Sequence, residues 1–222
     1  MPVLNGTLES QLRQAFATLT SPVTLAVFTD STADAVTRET CAVTRQLVDE
    51  LAEASGAILL VEPHDLAAEL DIAAEYGVDK VPAIVVLGGA GKRDVGIRFF
   101  GVPSGYEFGT LIESVRMVSR EASNLSQSTL DMLSRLRAPL HIQVYVTPTC
   151  PYCPRAALLA QKLALASDRV TADVVDASEF PELADRYNVR GVPRTVINDT
   201  LHIEGAVPEA ALVAELRAML EA

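Results

Sequence analysis

The sequence contains only three cysteines among its 222 residues. An odd and low cysteine count argues against a structural disulfide framework and fits a reducing compartment. No run approaches the roughly 20 apolar residues that a membrane-spanning helix needs. The N-terminal residues also lack the basic segment followed by an apolar segment that marks a secretory signal peptide. These absences predict a soluble, cytoplasmic protein with no membrane partner.

A surplus of basic residues is also missing. The formal net charge is −11, and lysine, arginine, aspartate and glutamate are interspersed along the chain. Without a basic stripe to neutralise phosphates, nucleic acid is not expected as a partner. The hydrophobic fraction of 49% is enough to bury a core, so disorder is not expected either. The length allows one large domain or two domains of roughly 100 residues each.

The most informative pattern is that the two halves of the chain resemble each other. The segment AAEYGVDKVPAIVV (73–86) matches ADRYNVRGVPRTVI (184–197), and the offset between matched residues falls from 117 to 104 along the chain, as it would if loops had shortened between two copies of one fold. The matched pairs are Pro22 with Pro139, Tyr76 with Tyr187, Pro82 with Pro193, and Gly101 with Gly205.

Each copy shows a leading helix followed by elements in the order β-α-β-α-β-β-α, read from hydrophobic periodicity and turn residues. This order predicts an α/β fold with a mixed four-stranded sheet flanked by helices, which is the order of the thioredoxin fold. The polar stretch SREASNLSQS (119–128) separates the copies. We therefore expect two tandem thioredoxin-like units, residues 1–120 and 121–222. The connection is too short for a free linker, so the units should pack together.

The segment TPTCPYCPR (147–155) places Cys150 and Cys153 three positions apart between a predicted strand and a predicted helix. Pro151 suits the first turn of a helix, which would put Cys150 at the cap and Cys153 about one turn inside. Unpaired N–H groups and the helix dipole would stabilise the thiolate of Cys150. The spacing thus predicts Cys150 as the attacking nucleophile and Cys153 as the resolving thiol. Pro151 and Tyr152 would shape the docking surface for substrates.

Zinc sites use the same cysteine spacing, so a metal clip is the main alternative. A tetrahedral site needs two further ligands. The remaining candidates are scattered along the chain and unpaired: Cys41, His64, His141 and His202. The position of the pair at a strand-to-helix junction, inside the expected α/β order, favours redox chemistry, with no metal and no bound cofactor.

The first copy has no such pair. Counting back by 117 from the cysteines without gaps gives Ala33 and Val36, neither of which can exchange disulfides. Cys41 falls inside a predicted helix and is interpreted as a small buried hydrophobic residue. The first unit is therefore predicted to be redox-silent and to serve as a scaffold or a docking surface.

The segments VTPTCPYCP, ADRYNVRGVP, IRFFGVPSGYEF and VSREASNL together resemble the tandem protein disulfide oxidoreductases of prokaryotes, also called glutaredoxin-like proteins, which fuse two thioredoxin folds. A more distant resemblance is to the N-terminal domain of the flavoprotein component of alkyl hydroperoxide reductase. The resemblance implies that Pro193 is cis and lies against the cysteine pair. It also implies that Val192 offers backbone groups to an extended substrate segment.

The resemblance also implies the partners: protein disulfides as substrates, electrons from a thioredoxin-reductase-like flavoprotein, and a part in cell redox homeostasis. The sequence departs from the two-centred members of the family because its first CxxC is missing. Val144 stands six residues before the nucleophile, where thioredoxins carry a buried acid that glutaredoxin-like sites also lack. Two alternatives remain open: an electron carrier dedicated to a peroxiredoxin, and a module in which CPYC ligates an iron–sulfur cluster or zinc across a dimer.

Overall fold

The computed structural model describes residues 6–221. Within this range no helix is long and apolar enough to cross a membrane. The strands are β1 (Val23–Thr29), β2 (Leu59–Asp65), β3 (Ala83–Gly88), β4 (Arg93–Phe100), β5 (Leu140–Val146), β6 (Val170–Asp176), β7 (Arg194–Ile197) and β8 (Leu201–Glu204). The helices are α1 (Gly6–Phe16), α2 (Ala35–Ala54), α3 (Leu70–Glu75), α4 (Tyr106–Ser119), α5 (Gln127–Leu133), α6 (Cys153–Ala166), α7 (Pro181–Arg186) and α8 (Glu209–Glu221).

All eight strands belong to one sheet with the order β2-β1-β3-β4-β6-β5-β7-β8. The first four strands and the last four repeat the same order, and in each set the third strand is antiparallel to its neighbours. The predicted α/β fold with a mixed sheet flanked by helices is confirmed. The two predicted four-stranded sheets form one continuous sheet, because β4 pairs with β6 in parallel from Ile97 opposite Ala172 to Phe100 opposite Val175.

Both faces of the sheet are buried, because helices cover each side. Along β1, Val23, Leu25 and Val27 contribute to the larger hydrophobic cluster, whereas Ala26 and Phe28 contribute to the smaller cluster on the opposite face. The larger cluster includes residues of α1, α2, α4, α6 and α8, and the smaller one lies under α3 and α7. Both halves share the larger cluster, so their cores are continuous.

The segment between the two copies is held at both ends by hydrogen bonds. The hydroxyl of Ser119, the last residue of α4, accepts from the backbone N–H of Thr20 at 2.9 Å and of Ser21 at 3.0 Å. At the start of α5, Ser126 donates its N–H and its hydroxyl to the Glu209 carboxylate at 3.0 and 2.7 Å. The polar stretch is thus a fixed connection.

Strand direction places several loops together. Every strand except β3 and β7 runs the same way, so the loops that follow β1, β4, β5 and β6 open at one edge of the sheet. In the sheet order, β4 and β5 are separated only by β6. The start of α4, from the first half, and the start of α6, from the second half, are therefore close in space.

Candidate active site

The two cysteines of the second half lie at this edge, in the loop between β5 and α6. Cys150 and Cys153 are joined as a disulfide with their Cα atoms 5.5 Å apart. The backbone N–H of Cys150 donates to the carbonyl of Thr147 at 3.1 Å, which closes the loop into a turn. Cys150 is 7% exposed and Cys153 is fully buried. Cys150 is thus the more exposed residue of the pair.

The position of Cys150 relative to the helix differs from the prediction. Helix α6 begins at Cys153 and Tyr152 is its N-cap, so Cys150 lies two residues before the cap. Pro151 and Tyr152 form a turn before the regular helix starts. Tyr152 makes no side-chain capping bond. The N-terminus of α6 therefore keeps its positive potential for a nearby anion, and a Cys150 thiolate would be that anion.

Val192 and Pro193 form the opposite wall of the site. The peptide bond between them is cis, as the resemblance implies. The sulfur of Cys150 contacts the carbonyl oxygen of Val192 at 3.6 Å. Pro193 is buried and its own carbonyl accepts from Gly205 at 2.8 Å, which fixes the segment to the following strand. The structure thus brings Val192 and Pro193 to the cysteine pair, while Pro151 and Tyr152 lie exposed beside it.

The first half of the chain contacts the cysteine loop directly. The backbone N–H of Tyr106 donates to the carbonyl of Pro148 at 2.9 Å. Gly105, with φ of 57°, precedes it, and a Cβ atom at Gly105 would lie 2.1 Å from the same carbonyl oxygen. Only glycine combines that backbone conformation with so close an approach. The start of α4 is therefore built against the loop that carries Cys150.

This contact brings Glu107, in the first turn of α4, to the level of Cys153. Helices α4 and α6 follow parallel strands, so they run side by side in the same direction, and Ser114 bonds to Gln161 at 2.6 Å. Glu107 precedes Ser114 by about 10 Å along its helix, and Cys153 precedes Gln161 by about 12 Å. Both residues therefore lie in the first turns of two packed, parallel helices.

Glu107 is a buried carboxyl group with an altered acidity. Its exposure is 4%. Burial, with a smaller contribution from the charge of Asp176, raises its pKa to about 7, although the nearby Thr110 hydroxyl lowers it in part. Such a group can accept and return a proton near neutral pH. Val144, at the position where thioredoxins carry an acid, is fully buried and apolar.

Glu107 is not recognisable as a site residue from the sequence. In sequence it is an ordinary acid in the first turn of a helix, where the helix dipole favours a negative charge. It also lies in the half without the cysteine pair, 43 positions before Cys150. Only the parallel pairing of β4 with β6 brings it to the site. The quoted segment IRFFGVPSGYEF does contain it, but no periodicity or spacing gives it a role.

The equivalent loop of the first half is capped by an acid. Asp34 is the N-cap of α2, and its carboxylate accepts from the backbone N–H groups of Val36 at 2.8 Å and Thr37 at 3.1 Å. The bond from the Thr37 amide is the main reason that the pKa of Asp34 is lowered. The starts of β1 and β5 differ by 117 positions and the starts of α2 and α6 by 118, so Ala33 and Val36 match the cysteine positions to within one residue.

Cys41 is buried in α2, as predicted. Burial raises the pKa of its thiol, which disfavours the reactive thiolate. The three histidines, which are candidate metal ligands in the sequence, have other partners: His141 with Asp173, His64 with Glu69, and His202 with Arg194. Among residues 6–221 no group of three or more histidine, cysteine or acidic side chains is arranged to hold a metal ion.

Comparison with known proteins agrees with this fold. Residues 140–218 match the family described as a thioredoxin domain. The chain superimposes on a protein disulfide oxidoreductase from Aeropyrum pernix K1 with a TM-score of 0.88 and 28% identity, covering 99% of this chain and 95% of that one. It superimposes on the alkylhydroperoxide reductase protein AhpF from Enterococcus faecalis with a TM-score of 0.86 and 29% identity, covering 96% and 99%. The predicted resemblance is confirmed.

Curated relatives are longer than this chain. A protein named NADH dehydrogenase from Bacillus subtilis is 24% identical over 196 residues, which are 88% of this chain and 34% of that protein. The alkyl hydroperoxide reductase protein AhpF from Staphylococcus aureus is 26% identical over 140 residues, which are 63% of this chain and 27% of that protein. The chain thus corresponds to about a third or less of these relatives.

Proposed function

Because the chain is a tandem thioredoxin-fold protein, we propose that it is a dithiol–disulfide oxidoreductase that exchanges disulfides with protein substrates through Cys150 and Cys153. One observation carries the proposal. The two cysteines are paired at the start of a helix, with the Cys150 sulfur against the Val192 carbonyl. An extended substrate segment could pair with the Val192 backbone while its own sulfur lies next to Cys150.

The reaction begins with the reduced pair. The Cys150 thiolate attacks one sulfur of the substrate disulfide, forms a mixed disulfide and releases the other substrate sulfur as a thiolate. Cys153 then loses its proton and attacks the Cys150 sulfur. The second substrate sulfur leaves, and the Cys150–Cys153 disulfide forms. Two electrons pass from the pair to the substrate, and the reverse sequence would oxidise a substrate dithiol.

Glu107 is proposed as the base for the second step. A fully buried thiol such as Cys153 ionises poorly without a proton acceptor, and Glu107 lies at the same level of the packed helices α4 and α6. With a pKa of about 7, its carboxylate is available at neutral pH. When the substrate thiolate leaves, the proton held by Glu107 can return to it. The first half would thus supply the acid that Val144 does not.

The two halves would then have different tasks. We assign residues 1–120 to a redox-silent unit and residues 121–222 to the unit that carries the CPYC site. The silent unit holds Glu107 and the Gly105–Tyr106 contact against the cysteine loop. In this arrangement the first unit is part of the active site, and it serves as more than a scaffold.

We further propose that the pair receives electrons from a thioredoxin-reductase-like flavoprotein and that the protein works in the cytoplasm without a bound cofactor. A second candidate function is a dedicated electron carrier to a peroxiredoxin. The similarity to the alkylhydroperoxide reductase protein AhpF, at 29% identity over 96% of this chain, favours this candidate. Both functions use the same cysteine pair and differ in the acceptor.

Three single variants test the chemistry. Cys150→Ser should abolish insulin-disulfide reduction, because no nucleophile remains, and Cys153→Ser should trap a mixed disulfide with the substrate. Cys41→Ser is the matched control, since this buried thiol lies outside the site, and it should reduce insulin at the wild-type rate. Full activity in Cys150→Ser would refute the proposal. Rates with insulin and with a peroxiredoxin from the same genome would then separate the two acceptors.

A further inference from the structure

Two exposed aromatic rings flank the cysteine loop, one from each half of the chain. The sequence has eleven phenylalanine and tyrosine residues, all within the described range. Only two of them are exposed in that range: Tyr106 at 52% and Tyr152 at 64%. Tyr152 follows Cys150 by two positions, and Tyr106 is bonded through its backbone to Pro148, two positions before Cys150. Exposed aromatics are thus confined to the immediate surroundings of the nucleophile.

Exposed tyrosine rings are suited to binding a protein partner. A tyrosine offers a large apolar area with few rotatable bonds, and aromatic side chains are enriched among residues that dominate binding energy in protein interfaces. The backbone of Tyr106 is fixed by its bond to Pro148 and by the preceding Gly105, whose conformation excludes a side chain. The backbone that carries the ring is therefore fixed against the cysteine loop before any partner arrives, which reduces the entropy lost on binding.

We propose that Tyr106 and Tyr152 form a two-sided aromatic clamp for an extended protein segment with apolar side chains on both sides of the attacked cysteine. This inference deepens the proposed function and rests on it. The Val192 backbone, which contacts the Cys150 sulfur, would hold the main chain of the segment, and the rings would hold the side chains on either side of its cysteine. The redox-silent half thereby contributes to the choice of substrate, since Tyr106 belongs to that half.

The test uses the reduced full chain and short peptides whose single cysteine is joined in a mixed disulfide to 2-nitro-5-thiobenzoate. Cys150 attacks the peptide sulfur and releases the coloured thiolate. Cys153 then displaces the peptide thiol, which leaves the pair oxidised. One peptide carries leucine on both sides of its cysteine, and the other carries serine. Wild-type protein should react with the leucine peptide about tenfold faster, the ratio expected when apolar anchors reach aromatic hot spots.

The variants decide which residues produce that preference. Tyr106→Ser and Tyr152→Ser should each bring the ratio of the two rates close to one, whereas Tyr106→Phe should keep it because the ring remains. Leu70→Ser is the matched control, because Leu70 is 66% exposed on the α3 side of the sheet, and it should keep the wild-type ratio. Thermal unfolding of each variant would show that the fold is retained.

The possible outcomes distinguish a failure of the aromatic clamp from a failure of the proposed disulfide-exchange function. If the reduced wild-type protein releases no coloured thiolate from either peptide, the proposed function fails. If both peptides react rapidly and equally, or if Tyr106→Ser keeps the preference, the exchange chemistry stands and the clamp is overturned. If Tyr106→Ser converts a dimer into a monomer in sedimentation, a second copy of the chain covers the rings, and the clamp is likewise overturned.

Discussion

In the first half of the molecule the N-cap of the helix that follows the first strand is an acid, and in the second half it is a tyrosine. Asp34 gives its carboxylate to two backbone N–H groups of α2, whereas Tyr152 gives α6 no side-chain acceptor. A helix N-terminus favours one nearby negative charge. In the first unit a permanent carboxylate takes that place and stabilises the helix. In the second unit no side chain takes that place. Under the proposed function it would stabilise the Cys150 thiolate.

The largest effect on the exchange rate is expected at Glu107, the residue of the first unit that is proposed to act as a base for Cys153 in the second. Glu107→Gln keeps the size of the side chain but removes the proton acceptor, so the attack of Cys153 on the mixed disulfide should slow by about 100-fold at pH 7. The measurement is the lifetime of the mixed disulfide between Cys150 and a peptide, followed by rapid acid quenching. A wild-type lifetime in this variant would show that Glu107 does not serve the second unit.

The same variant should change how stability depends on pH. The pKa of Glu107 is about 7 in the folded protein, against an ordinary value of 4.5. Its raised pKa means that the folded state holds the proton more tightly, so stability is lost as pH rises from about 4.5 to about 7. The shift corresponds to about 3 kcal/mol. Urea unfolding across this range should show the loss in wild type and in the control Glu215→Gln, and a smaller loss in Glu107→Gln.

Gly105, the N-cap of α4, and Gly109, within α4, differ in the space available for a side chain. Gly105→Ala would force a Cβ atom against the Pro148 carbonyl, in a backbone conformation that alanine rarely adopts, and should lower the free energy of unfolding by about 3 kcal/mol. Gly109→Ala, in the same helix α4 with open space around it, should raise it by about 1 kcal/mol. Chemical denaturation measures both. Equal effects at the two sites would mean that the two units do not depend on the Gly105 contact.

Adding to α6 an acidic N-cap like that of α2 tests whether the N-terminus of α6 sets the reactivity of Cys150. Tyr152→Asp places a carboxylate at the N-terminus of α6, where it would compete with the Cys150 thiolate. It should raise the pKa of that thiol and slow alkylation by iodoacetamide about tenfold at neutral pH. Tyr152→Asn, without the charge, is the control. If both variants react alike, the helix start does not set the reactivity of Cys150.

The smallest expected effect is the loss of the cap in the silent unit. Asp34→Ala removes the acceptor for the N–H groups of Val36 and Thr37, and should lower Tm by roughly 2–4 °C, with no change in disulfide exchange. Differential scanning calorimetry measures the first quantity and insulin reduction the second. A large loss of exchange activity would contradict the assignment of this loop to stability alone.

Much of the fold could be predicted from the internal sequence repeat and the hydrophobic periodicity. The cysteine pair could be predicted from its spacing. The order of elements was predictable because each copy repeats it, and the Cys150–Val192 contact follows from the position of Pro193 in that order. The start of α6 was misplaced by two residues, because Pro151 allows both a helical turn and a preceding turn. Glu107 was not predictable, since the pairing of residues 97–100 with 172–175 is non-local and leaves no periodic trace in the sequence.

The pairing of β4 with β6 has a consequence for assembly. Through this pairing the second unit lies beside the first in the same orientation. Further units could in principle be added in the same way, because a head-to-tail contact of this kind does not close on itself. The outer strands β2 and β8 correspond to the two strands that meet at that junction, so one copy's β8 could extend onto another copy's β2 and build a fibre. Pro63 within β2 has no N–H to offer a further strand, and β8 is only four residues long. These two features disfavour the addition of a further unit at either outer strand.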